Sequence, residues 1–318
     1  MNQTHKAFDK SALFKKSQLY ISRGYRAFKA DDLDEYQLWA SMALELLAKS
    51  ALSHFSPTLV ADPDHFRSLF SACGAKQYSD VKTIQASTLF KRIGVLDKTF
   101  DKRIEQFCTD ISKRRNAELH SGEAPFVGMD LKRWENNFWH AIDVLLKLQE
   151  QDLEDWLDPQ DAKEKSEFLA EAESARGKAI SARIQNCKEE FNEKWKDDQE
   201  GKSERLTASA SISPTSYCKK FPSDMDAFDL QDCPSCTGKG IVAGTECNEE
   251  VIDSDWEEDW DGPPIEVVQI SYVTEEFWCP VCGLRLAGVQ EVGASDIPKE
   301  FEQEMERERE FEPDYGND

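Results

Sequence analysis

Two groups of side chains in this chain have types and spacings suited to chemistry. In RRNAELHSG (114–122), Arg115, Asn116 and His120 stand near the end of a helix-like run. They combine a permanent cation, an amide and an imidazole that can serve as general base or acid. Such a set suits phosphodiester chemistry on RNA. The imidazole can take the ribose 2′-OH proton, the leaving oxygen can be protonated, and the guanidinium can stabilise the charged phosphorane. No catalytic metal is needed. The second group is two C-x-x-C pairs, Cys233/Cys236 in CPSCTGKG and Cys279/Cys282 in WCPVCGLRL. Each pair can supply two thiolates to a tetrahedral zinc site, and four protein ligands leave no open position, so the site reads as structural.

The elements that position the first group read as helices. Phe100, Ile104, Cys108, Ile111 and Leu119 recur by threes and fours, which gives one apolar stripe from about Phe100 to His120. Arg115 falls in that stripe. Arginine is almost never buried without a partner, so the position is expected to leave the core and face a cleft or a second copy of the chain. The alternative is a surface arginine at a fraying helix end, its stem lying over apolar neighbours, with His120 a simple C-terminal cap. His120 lies about 140° further round the helix; Asn116, one turn below it, can orient the ring, and Gly122 stops the helix.

Upstream, 8–30 reads as a basic helix. Asp31 or Asp32 caps a second helix with Trp39, Met42, Ala43, Leu46 and Leu47 at helical spacing. Shorter helices are expected around HFRSLFSAC and DVKTIQASTLFKRIG, the latter closed by Gly94. A long one with Trp134, Phe138, Ile142 and Leu145 on one stripe follows; Trp134 and Trp139 read as core. Residues 1–157 are therefore expected to form one all-helical bundle. Residues 158–200 are helical but polar, with a thin apolar line of Phe168, Ala172, Ile180, Ile184 and Phe191: a bridging helix or pair, or a short coiled-coil arm. Ser/Thr/Ala-rich 201–217 reads as a linker.

Residues 218–295 change composition to valine, isoleucine and glycine, with strand-like runs around the cysteine pairs. This region resembles the zinc-ribbon family, WCPVCGLRLAG most closely. One departure is the 42-residue gap between the pairs, against roughly 15–20 in the usual spacing. The excess NEEVIDSDWEEDWDGPP reads as an inserted hairpin or loop. Gly238 and Gly283 suit the knuckles. Cys218 and Cys247 either supplement the ligands or, with Cys73, Cys108 and Cys187, are free thiols. Residues 296–318 read as an acidic tail containing a short helix.

RRNAELHSG at a helix end is similar to the arginine–Asn–x–x–x–histidine motif of HEPN domains, the helical bundles of many prokaryotic toxins and phage-defence ribonucleases. WASMALELLAKSAL, with Glu45 and Lys49 one turn apart, is similar to that family's amphipathic helix. The resemblance implies a mainly α fold, a homodimer whose motifs meet at the Arg115/His120 face, and metal-independent cleavage of single-stranded RNA. It implies Arg115 and His120 as catalytic residues, Asn116 as the polar motif residue and, more weakly, Glu45.

Charge bears on the partner. The chain of 318 residues has a net charge of −23, but residues 216–318 hold 7 Lys/Arg and 27 Asp/Glu, a net of −20. The remainder is close to neutral. Within it, residues 91–115 carry eight basic and four acidic residues, so Lys102, Arg103, Lys113 and Arg114 are candidate RNA contacts. The acidic ribbon should repel nucleic acid and suits a basic protein partner, which keeps open a second reading: a non-catalytic adaptor that binds a nucleotide or a protein. The sequence shows no run of ~18 apolar residues and no secretory leader, so a cytoplasmic protein with no membrane contact is expected.

Overall fold

The computed structural model describes residues 4–253 and 265–308. The chain divides into two compact units, Met1–Ala175 and Arg176–Asp318. The first is all helical, built from α1 (Lys10–Lys29), α2 (Leu33–Phe55), α3 (Phe66–Ala72), α4 (Ala86–Leu96), α5 (Lys102–His120), α6 (Leu131–Lys147), the short α7 (Leu153–Trp156) and the start of α8 (Pro159–Lys194). The second contains the end of α8, α9 (Gln199–Ser209), strands β1 (Ala227–Asp232), β2 (Lys239–Asp253), β3 (Ile265–Trp278) and β4 (Arg285–Ala287), then α10 (Val289–Gly293) and β5 (Glu300–Glu308). Mainly α with a C-terminal β region describes the whole. Among the described residues no helix is long and apolar enough to cross a membrane.

Aspartates start the helices that matter for the site. The side chain of Asp32 accepts from Glu35 N at the head of α2, and that of Asp101 accepts from Arg103 N and Ile104 N at the head of α5. Helix α2 is packed by α1, α4, α5 and α6. Its core face is Tyr36, Ala40, Ala43, Leu44, Leu47, Ala48, Ala51 and Leu52. Trp39, Met42 and Leu46 are half-buried, so the core line sits one step round from the expected stripe. Being covered on most sides, α2 also takes Glu45 and Lys49 out of bulk water. The expected stripe of α6 is buried throughout, and Trp134 and Trp139 lie in the core.

Several expectations change. Gly94 lies inside α4, which runs on to Leu96. Ile111 is covered by its own chain, so of the α5 stripe only Leu119, 48% exposed, is left on the surface. The polar stretch forms one long helix, α8. Its first half lays Phe168 and Leu169 on the bundle core, while Ile180, Ile184 and Phe191 pack in the core of the second unit. The expected linker 201–217 is mostly helix: Asp198 caps α9, and a 3₁₀ turn, Pro214–Lys220, follows. The expected acidic helix of the tail is strand β5, paired antiparallel with β3 from Val273↔Glu300 to Ile265↔Glu308. Of the expected insertion, residues 248–253 belong to β2; residues 254–264, like the final FEPDYGND, lie outside the described residues.

The sheet is antiparallel, in the order β1-β2-β3-β4, with β5 on β3. Hairpins β1–β2 and β3–β4 stand side by side, because Ile241 of β2 pairs with Trp278 of β3. Their turns carry the two C-x-x-C pairs, and of the long gap between the pairs residues 239–253 form β2 and 265–278 form β3.

Leu44 is fully buried and Leu19 is 45% exposed. Leu44→Ala should lower the urea stability of the helical unit by roughly 2–5 kcal/mol. Leu19→Ala should stay within about 0.5 kcal/mol of wild type.

Candidate functional site

Helix α5 passes α2 so that Arg115 meets Glu45. The guanidinium Nη1 donates to Glu45 Oε2, while Nε and Nη2 donate to Asn116 Oδ1 at 3.2 and 2.8 Å. The second oxygen of Glu45 accepts from Lys49 Nζ at 2.7 Å, and Lys49 Nζ also donates to Thr83 Oγ1 at 3.0 Å. Thr83 is brought there by an isolated bridge to Ala61. Arg115 and Glu45 side chains are only 13% and 15% exposed. One carboxylate thus stands between two cations in a half-buried wall of the bundle, and the trio nets one positive charge.

This corrects the expectation for Arg115. It is not a guanidinium left without cover that needs a second copy of the chain: its partner is Glu45, 70 residues earlier in the same chain. Asn116 holds the arginine rather than the imidazole. His120 is the last residue of α5, and its ring is exposed with no hydrogen-bond partner among the described residues. The structure therefore joins Glu45, Arg115 and Asn116, and leaves His120 about 7.5 Å further along the helix axis.

The basic candidates are dispersed. Lys113 pairs with Asp110 at 3.1 Å, and Arg114 Nη1 donates to Pro125 O at 3.0 Å. Lys102, which pairs with Glu105 at 3.7 Å, and Arg103 stand in the first turn of α5. They lie about 18 Å along the axis from Arg115. The residues that border the Glu45 cluster instead come from other elements. A cleft of about 470 Å³ is lined by Lys6, Lys16, Lys49, Leu13, Leu46 and Thr83, among others. The Glu45/Lys49 spacing is a legible i,i+4 pair. Thr83, Lys6 and Lys16 carry no such signal, since tertiary packing alone brings them there.

Burial by itself would raise the Glu45 pKa. The Lys49 ammonium and the Arg115 guanidinium outweigh it and hold the carboxyl below its usual value.

In the second unit the four thiols Cys233, Cys236, Cys279 and Cys282 have sulfurs within 4.8 Å of one another. Cys233 and Cys282 sulfurs are 3.6 Å apart, as are those of Cys236 and Cys279. A tetrahedron with metal–sulfur bonds of ~2.3 Å has sulfur–sulfur edges of about 3.8 Å. The set can therefore hold a metal such as zinc. The knuckles are alike. Cys233 N donates to Gly238 O and Thr237 N to Cys233 O; Cys279 N donates to Leu284 O and Gly283 N to Cys279 O. The left-handed residue is Thr237 (φ 63°) in the first knuckle and Gly283 (φ 85°) in the second, so Gly238 does not have the role expected of it. Hydrogen bonds from Cys233 are the main cause that pulls Cys236, Cys279 and Cys282 below the usual thiol range, Cys282 to about 6. Cys218 and Cys247 are exposed and lie outside the cluster. Cys187 was not expected near the site, yet its Sγ lies 3.5 Å from Cys282 O.

A carboxyl held below its unfolded value contributes stability that is fully present above the unfolded pKa, near 4.3, and lost as pH falls through the lowered native value. The stability difference between wild type and Glu45→Gln, from urea unfolding, should therefore be constant from about pH 5 to 7 and shrink below about pH 4.3. An unchanging difference down to pH 2 would contradict the ion-pair account.

No family model matches this chain, and neither a curated protein nor a solved structure matches it.

Proposed function

We propose that the helical unit is a metal-independent endoribonuclease for single-stranded RNA, of the HEPN kind used in toxin or phage-defence roles, and that the four cysteines hold a structural zinc. The observation that carries the nuclease reading is the state of Arg115. A guanidinium has five N–H donors. Glu45 and Asn116 accept three of them, which fixes the group and leaves two for phosphate oxygens. A cation fixed before the substrate arrives is what electrostatic stabilisation of a phosphorane requires.

In this reading His120 takes the proton from a ribose 2′-OH, and the 2′-oxygen attacks phosphorus. The bond from phosphorus to the 5′-oxygen breaks, and that oxygen takes a proton from an acid. The products are a 2′,3′-cyclic phosphate and a 5′-OH. Arg115 carries the extra negative charge on the way. Within one chain the two residues are about 140° apart round the helix. This separation favours a homodimer in which Arg115 of one copy and His120 of the other approach one phosphate, the imidazole giving the 5′-oxygen the proton that it took from the 2′-OH. Glu45 and Asn116 are positioning residues.

A second reading, the non-catalytic adaptor, draws on a different feature. Glu300, Glu302, Glu304, Glu306 and Glu308 alternate along β5 and so share one face of the sheet. That face suits a basic protein partner. The adaptor reading predicts no cleavage.

Single-stranded RNA incubated with the protein in EDTA should be cut to products ending in 2′,3′-cyclic phosphate. His120→Ala should lower the rate by about 10²–10⁴-fold, and Arg115→Ala should do the same or more. Cleavage that persists in both variants would remove the motif as the active site. For the metal, elemental analysis should find one zinc per chain. Cys279→Ser should lose it, and a strong chelator should lower the melting temperature of the β unit while the helical unit keeps its own.

A further inference from the structure

The cleft beside Glu45 has a composition that neither the RNA motif nor the cysteine cluster uses. It is lined by three lysines, Lys6, Lys16 and Lys49, with Leu13 and Leu46 as apolar wall and the Thr83 hydroxyl among its polar groups; no carboxylate lines it. Its volume of about 470 Å³ falls in the usual range for small-ligand pockets, roughly 300–1,000 Å³. We propose that this cleft binds a phosphate-bearing ligand of about mononucleotide size.

The charge arithmetic supports an anion. Lys49 is paired with Glu45, whose other oxygen serves Arg115, so this lysine adds little net charge to the cleft. Lys6 and Lys16 supply its positive charge. Both are exposed, and no carboxylate forms an ion pair with either among the described residues. Lys16 rests 5.6 Å from the ring of Tyr20, within the swing of its four-carbon stem. Ammonium groups bind phosphate as point charges, and a phosphate's multiple negative charge can engage more than one of them. The leucines give the ligand's carbon-rich part, a base or ribose face, a place to lie. A small inorganic anion would leave that wall unused.

Two sources supply this chemistry. One is a nucleotide unit of an RNA strand on its way to Arg115; the other is a free nucleoside polyphosphate. The inference holds whichever applies, and it does not need the nuclease reading, because binding is measured without turnover.

The test is calorimetric titration of full-length His120→Ala protein at physiological salt, with ATP and with a short oligouridylate as separate probes. At least one should bind with one site per chain, and Lys6→Ala/Lys16→Ala should weaken it tenfold or more. Both lysines are exposed, so the variant should fold, which circular dichroism checks. Lys15→Ala, the adjacent exposed lysine outside the cleft, should leave affinity within about twofold. ATP alone binding identifies the free nucleotide as occupant, and oligouridylate alone identifies the strand. Absence of binding by both probes, or binding that Lys6→Ala/Lys16→Ala leaves unchanged, overturns the proposal. Cleavage by the wild-type protein is scored separately, so loss of one result does not entail loss of the other.

Discussion

A single carboxylate placed between two cations organises the helical unit around its candidate site. Glu45 is taken out of bulk water by the helices that surround α2, and that position is tolerable only because Arg115 and Lys49 both reach it. The same contact fixes the direction of Arg115, ties α5 to α2, and fixes Lys49 against Thr83 at the edge of the lysine cleft. Removing the carboxylate would leave two half-buried cations facing each other. The cost of breaking such a pair by losing one partner runs to several kcal/mol in buried settings, and the partial exposure here places it at the lower end. Structure and proposed chemistry therefore share one group.

The second unit follows a different constraint. Two hairpin turns can bring four sulfurs to one point only if β2 and β3 are neighbours in a fixed register, and Ile241↔Trp278 supplies it. A Cβ on Gly240 would stand 2.3 Å from the Phe277 ring, so glycine is required for the two hairpins to pack at this end. Farther from the knuckles the sheet is free to grow, which is why a long spacing between the cysteine pairs does not disturb the site.

Local signals were legible in the sequence and distant ones were not. The buried stripe of α6, the Asp32 cap of α2 and the two cysteine knuckles all depend on residues within a few positions of one another. Arg115 marks the limit. The rule that a buried arginine needs a partner applied correctly, but helical periodicity could not reveal that the partner was Glu45 on another helix. Strand β5 shows the same limit in another form. KEFEQEMERERE favours helix by residue type, yet Phe301, Gln303 and Met305 alternate and pairing with β3 decides the outcome. The Ser- and Ala-rich stretch after residue 200 folds as a helix because Asp198 caps it and Ser209 is buried at its end, where its Oγ accepts from Lys239 N.

The central claim is that Glu45 and Arg115 act as a unit. A double-mutant cycle on urea stability with Glu45→Gln, Arg115→Gln and the pair measures this directly. The account predicts a coupling energy of about 0.5–3 kcal/mol between the two sites, the range expected for residues in one contact network. Effects that add to within about 0.3–0.5 kcal/mol would contradict it and return Arg115 to the status of an independent surface residue.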